Sequence, residues 1–185
     1  MGLTGGTFLH QVKEIITGEG FLKSIQIPVT SVHLFSSGAP LTTTVSSNPG
    51  PDKFDTNITG LTWAADKVVK AGFDLVIPED YDESQDHCKL RFRAKMAGST
   101  NTPGLDAVAY HEDAGTTDLD PTISADLSTT LAWVEIDLSD NSFSAGDAVS
   151  VGVFPEAHST DAVQVYGMEL EYRSTLVYFD KDGER

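Results

Sequence analysis

The sequence predicts an all-β antiparallel β-sandwich, a jelly roll of about eight strands, behind an N-terminal extended arm with one short helix. Three observations carry that expectation. Residues Lys89 to Met96 alternate basic and apolar without a break, the period of a strand with one buried face. From Phe54 onward, short runs rich in β-branched and aromatic residues recur between clusters of Gly, Pro, Asn, Asp and Ser, the residues of turns. No run between those clusters has helical spacing, so there are no crossover helices of the kind parallel strands need.

Taken in chain order, Thr7 to Ile16 is the one amphipathic helix. Phe8, Leu9, Val12, Ile15 and Ile16 fall at helical spacing, and Thr17-Gly18 stops it. Glycines at 2, 5, 6, 18 and 20 surround it, so residues 1–20 read as an adhesive arm. Residues 21–53 follow as an extended segment and a Pro/Gly linker. Phe21, Lys23, Ile25 and Ile27 lie on one side of the extended piece. Pro28 confines it to a sheet edge or to a break between two short strands. The main boundary is placed at 36–53, where Gly38, Pro40, Pro49, Gly50 and Pro51 interrupt any periodicity.

The sandwich spans 54–179, with strands expected at 57–63, 69–77, 89–97, 106–112, 131–138, 148–154, 163–172 and 175–179. In the strand at 163–172, Tyr166, Met168, Leu170 and Tyr172 are expected on one face and Val165, Glu169 and Glu171 on the other. Residues 180–185 form a polar tail.

A chain of 185 residues can bury a sizeable core. Its formal net charge of −16 repels phosphate, so nucleic acid is not an expected partner. Cys88, the single cysteine, excludes an intramolecular disulfide. No apolar run approaches the roughly 20 residues of a membrane helix. Met1 to Gly20 lacks a basic stretch followed by an apolar core, so synthesis in a cytoplasm is expected. Against the acidic background, Lys89, Arg91, Arg93 and Lys95 concentrate four of the twelve basic residues on one strand face. Three readings stand: Glu135, Asp137, Glu169 and Glu171 on neighbouring strands answer those charges, the stripe docks an acidic partner, or it is simply solvated.

Chemistry is sparse. Asp80, Asp82, Ser84 and Asp86 repeat the first ligand spacings of an EF-hand calcium loop, but Gln85 stands where glycine is required and Arg91 where the bidentate glutamate belongs. The trio Asp80, Asp82 and Asp86 is the one partial metal match, and no cofactor is expected. Histidines at 10, 33, 87, 111 and 158 show no zinc spacing with Cys88. There is no nucleophile elbow, P-loop or dinucleotide fingerprint, so an enzyme is not expected.

The stretch from Trp63 to Phe179, about two-thirds of the chain, resembles the jelly-roll virion proteins of tailed bacteriophages. The likeness rests on the Ile77-Pro78-Glu79-Asp80-Tyr81 strand exit, the Gly146-Asp147 turn, and Val165-Tyr166-Gly167 followed by Tyr172-Arg173-Ser174. It implies a non-enzymatic cement or decoration protein on the capsid exterior, a homotrimer whose partner is the major capsid protein. The arm then becomes the expected anchor, with Phe8, Leu9, Val12, Ile15, Ile16, Phe21 and Ile25 as its contact residues, adding a strand or short helix to a neighbour. Two alternatives share the fold: a carbohydrate-binding module reading sugars with exposed aromatics (Trp63, Trp133, Tyr110 and Tyr166 are the candidates), and a head-fibre or tail component.

Overall fold

The computed structural model describes residues 21–42, 48–55, 58–85, 87–112, 122–123, 126–138 and 143–175. The helix expected over Thr7–Ile16 lies outside them, as does the strand expected at 175–179 apart from Thr175. The described strands are β1 (Phe21–Ile27), β2 (His33–Leu34), β3 (Gly50–Asp55), β4 (Ile58–Trp63), β5 (Ala71–Val76) and β6 (Cys88–Met96). They continue with β7 (Leu105–His111), β8 (Thr122–Ile123), β9 (Ala132–Asp137), β10 (Ala148–Pro155) and β11 (Val163–Ser174).

These strands form two antiparallel sheets. The first runs β3-β4-β11-β6-β9-β8, with β1 also bonded to β11; the second runs β2-β5-β10-β7. From β4 to β7 the chain alternates between the sheets, and β9, β10 and β11 alternate again, which is jelly-roll winding. The strand with unbroken alternation, β6, sits between β11 and β9. Its Cys88, Leu90, Phe92, Ala94 and Met96 point into the core, where they meet Trp63, Phe73, Ile136 and Met168. Trp63 is fully buried, and its indole N–H donates to the Val69 carbonyl at 2.8 Å, so the one polar atom of that ring is satisfied.

Sheet pairing reaches further toward the N-terminus than composition suggested. Pro28 does mark a break: β1 precedes it as an edge strand of the first sheet, and β2 follows one 3₁₀ turn later as an edge strand of the second. Gly50–Asp55, of which residues 50–53 were expected in the linker, is the edge strand β3, paired with β4 from Gly50↔Thr62 to Asp55↔Ile58. Edge position explains why Pro51 is tolerated there, since a strand bonded on one side can lack a donor.

One register expectation is corrected. The β6–β11 pairing shifts between Val165 and Gly167, so Val165 packs inward opposite Ala94 and Tyr166 is the extra residue of a bulge. Beyond the bulge Met168, Leu170 and Tyr172 point inward as expected. Tyr166 instead joins the outer face, beneath Lys95.

On the outer face of the second sheet, Gly72 of β5 lies opposite Gly152 of β10. Phe35 crosses both and stacks on Tyr110 with centroids 5.8 Å apart. A Cβ at either glycine would meet Phe35 at 2.9 Å, so the pair of glycines is what lets the chain after β2 lie on the sheet.

Candidate functional site

The strand that follows the N-terminal segment is mostly exposed. β1 pairs with β11 from Phe21↔Ser174 to Ile27↔Met168 and has no neighbour on its other side among the described residues. Phe21 and Ile25 share the inner face with Ser174 and Leu170, yet they are 45% and 47% exposed. The opposing sheet therefore leaves this end of the inner face open. Leu22, on the other face, is 52% exposed. Three large apolar side chains on one free edge make a surface suited to strand addition or to an apolar partner.

Side chains also tie β1 to the rest of the sandwich. Lys23 donates to Asp80 Oδ2 at 2.6 Å, and Asp80 also accepts from the Tyr172 hydroxyl at 3.0 Å and from Ser174 Oγ. Burial alone would favour the neutral acid. The hydrogen bonds from Lys23, Ser174 and Tyr172, with the Lys23 charge, outweigh it and hold the Asp80 carboxyl at about 2. The same environment pushes Tyr172 up to about 12, through its burial and then the Asp80 carboxylate.

Two of the three candidate calcium ligands fall among the described residues. Asp80 faces an ammonium, while Asp82 accepts from the backbone and hydroxyl of Ser84 in a local turn. Asp86 lies outside the described residues, and among those described no group of three or more His, Cys, Asp or Glu converges.

The basic stripe divides into two halves. Lys89 lies between Asp137 and Glu171 in register, and Arg91 between Glu135 and Glu169. Lys89 donates to Glu135 at 2.9 Å; Arg91 pairs with Glu169 at 3.0 Å, with Glu171, and with Glu135 at 3.4 Å. Glu169 and Glu171 are buried, so this half of the stripe is a structural ion network. Arg93 and Lys95 carry no carboxylate partner among the described residues. Arg93 lies over Trp133 with 5.9 Å to the centroid, Arg91 is 4.8 Å from the same ring, and Lys95 is 5.6 Å from Tyr166. Sequence reading paired the strands and the charges but could not see these aromatic partners.

A groove of about 500 Å³ opens on the outer face of the second sheet, lined by Asp74, Val76, Tyr110, Glu112 and Ser150 among others. At its rim His111 pairs with Asp147 at 2.8 Å. Sequence reading had offered Trp63 and Tyr110 as sugar-stacking aromatics; Trp63 is in the core, and Tyr110 lines this groove. Cys88 is wholly buried, and burial, then the Asp137 charge, pushes its thiol up to about 12, which leaves it without nucleophilic character.

The partner-binding residues expected from the sequence separate accordingly. Phe21 and Ile25 are exposed on β1, joined by Leu22, which had not been singled out. Phe8, Leu9, Val12, Ile15 and Ile16 lie outside the described residues.

No family model and no curated protein matches the sequence. Among solved structures, a xylan-binding module, CBM15, aligns at 16% identity with a TM-score of 0.54, covering 84% of this chain and all of that one. The CBM22-1 xylan-binding domain from Paenibacillus barcinonensis Xyn10C aligns at 8% identity and TM-score 0.49, over 80% of this chain and 96% of the other. A Cellvibrio japonicus Xylanase10C mutant in complex with xylopentaose aligns at 15% identity and TM-score 0.47, over 80% of this chain and 28% of that one. The first of these likenesses shows the fold: this chain is a β-sandwich of the kind found in that module.

Proposed function

We propose that this chain is a non-enzymatic structural protein of a tailed-phage virion, a cement or decoration protein. In this reading it is made in the host cytoplasm and docks as a homotrimer on the major capsid protein at the capsid exterior. The observation that carries the reading is β1: a free edge with Phe21, Leu22 and Ile25 exposed, directly continuous with the expected adhesive arm. A strand of this kind can extend a sheet across to a neighbouring subunit, and several weak docking points on one oligomer sum through avidity. The acidic surface keeps the protein soluble before assembly. Co-sedimentation with preformed shells of the phage that carries the gene tests it. The intact chain should pellet with shells, and a chain with Phe21, Leu22 and Ile25 changed to Ser should stay in the supernatant.

A second reading, a carbohydrate-binding module, is favoured by the groove on the second sheet. Tyr110 offers a ring, and Asp74, Glu112 and Ser150 offer acceptors to sugar hydroxyls. A protein of the same fold is described as a xylan-binding module. Affinity electrophoresis in soluble xylan separates the two: retardation that Tyr110→Ala abolishes supports the module, and unretarded migration leaves the virion reading.

A further inference from the structure

The outer face of the first sheet carries a second site, independent of β1 and of the groove. Its centre is Arg93. In register Arg93 lies between Trp133 of β9 and Gly167 of β11, and Lys95 lies beside Gln164, so their strand neighbours are uncharged where those of Lys89 and Arg91 are acidic. The bulge at Val165/Gly167 turns Tyr166 onto this face, where Lys95 lies 5.6 Å from its ring. Trp133 keeps 37% of its surface exposed. The result is a row across three strands, Trp133–Arg93–Tyr166, with Lys95 alongside. Strands lie about 4.8 Å apart, so the backbones that carry the two rings are separated by roughly 10 Å, with Arg93 on the strand between them.

We propose that this row binds a carboxylated polysaccharide, a chain of uronate residues. A cationic patch on a chain of net charge −16 selects an anion. The planar guanidinium fork of Arg93 matches a carboxylate and can take it bidentately, with Lys95 as a supporting point charge. The exposed Trp133 ring and the half-buried Tyr166 ring provide apolar platforms for the faces of successive sugar rings, the amphipathic contact at which Trp and Tyr excel. An acidic peptide fits less well. β6 is bonded on both sides, to β11 and β9, so a peptide strand has no free edge to join and would meet only the face. The structure also explains why the other basic half of the stripe is excluded: Glu135, Glu169 and Glu171 already hold Arg91.

The test is affinity electrophoresis and calorimetry of the full chain with polygalacturonate, with neutral xylan and poly-L-glutamate as comparators. Polygalacturonate should bind and xylan should not compete. Binding should weaken as salt rises, because charge pairs on an exposed face are screened. Trp133→Ala and the pair Arg93→Gln with Lys95→Gln should each weaken it about tenfold or more. Thermal unfolding checks that each variant is folded, and Trp133→Phe, which keeps a ring, should retain most of the binding if the alanine variant does not fold. Equal binding of poly-L-glutamate would make the surface a general acidic-protein site and overturn the assignment. So would failure to bind polygalacturonate, or binding that both sets of substitutions leave unchanged.

Discussion

The Lys23 ammonium lies 2.6 Å from the Asp80 carboxylate, and this pair fastens the first described strand to the segment between β5 and β6, which Tyr172 and Ser174 in turn tie to β11. The two residues are far apart in sequence and meet because β1 and the segment around Asp80 both bond to the C-terminal end of β11. Asp80 is the hub, taking hydrogen bonds from Lys23, Tyr172 and Ser174 at once. Its carboxyl is held at about 2 against an ordinary value of 3.8. Because the folded value is the lower one, the stabilisation is fully present above the ordinary value and is lost as pH falls through it toward 2. Asp80→Asn should therefore cost about 2 kcal/mol at neutral pH and flatten the acid limb of the stability curve below about pH 4. Denaturant unfolding of both proteins between pH 7 and 2 checks this.

Arg91 and Arg93 are alike in sequence and unlike in consequence. Arg91 neutralises Glu169 and Glu171, both buried, so Arg91→Glu should destabilise by about 3–5 kcal/mol, the cost of leaving buried charges unpaired. Arg93 is exposed and has no carboxylate partner among the described residues, so Arg93→Glu should change stability by less than about 1 kcal/mol. Urea midpoints of the two single variants separate these outcomes.

The difference between those arginines marks how far the sequence could be read. Alternation in β6, β9 and β10, with turn clusters between them, was enough to place the strands within a residue or two. It was also enough to anticipate that basic β6 lies against acidic strands, because outward positions carried opposite charges. What was not legible depended on register. Val165 and Tyr166 were assigned to the wrong faces because strict alternation was carried through Gly167. A glycine inside a strand pattern was the available signal of a bulge. With Tyr166 misplaced, the Trp133–Arg93–Tyr166 row could not be assembled. Edge strands were also under-read: β3 contains Gly50 and Pro51, which disrupt an interior strand but are harmless at an edge. The partners of Asp80 were likewise out of reach, because Lys23, Tyr172 and Ser174 are distant from it in sequence.

The facing glycines of the second sheet give a packing prediction. Gly152→Val should force Phe35 off the sheet, since a Cβ there already meets the Phe35 ring at 2.9 Å. The expected loss is about 1–3 kcal/mol, typical of overpacking. The Phe35→Ala, Gly152→Val double variant should lose less than the sum of the two singles, because removing the ring relieves the crowding and leaves Val108, at 3.0 Å, as the nearest contact. A double-mutant cycle by thermal unfolding measures that coupling.

Cys88 supplies a probe of global opening. Its thiol is buried on the inner face of β6 and pushed up to about 12, so the native protein should not react with Ellman's reagent at pH 8. One thiol per chain should titrate in denaturant, at a rate that follows unfolding. Rapid reaction of the native protein would show that β6 opens locally.

Phe21, Leu22 and Ile25 are roughly half exposed, so replacing them with Ser should cost little stability, about 1 kcal/mol in all, while removing the apolar edge. The measurement that bears most directly on a docking role for that edge is a side-chain-resolution image of the intact particle. The proposal predicts the sandwich on the outside of the capsid shell, with β1 against the major capsid protein and those three side chains buried in the contact. A particle that lacks the chain, or one that holds it with β1 facing solvent, would contradict it.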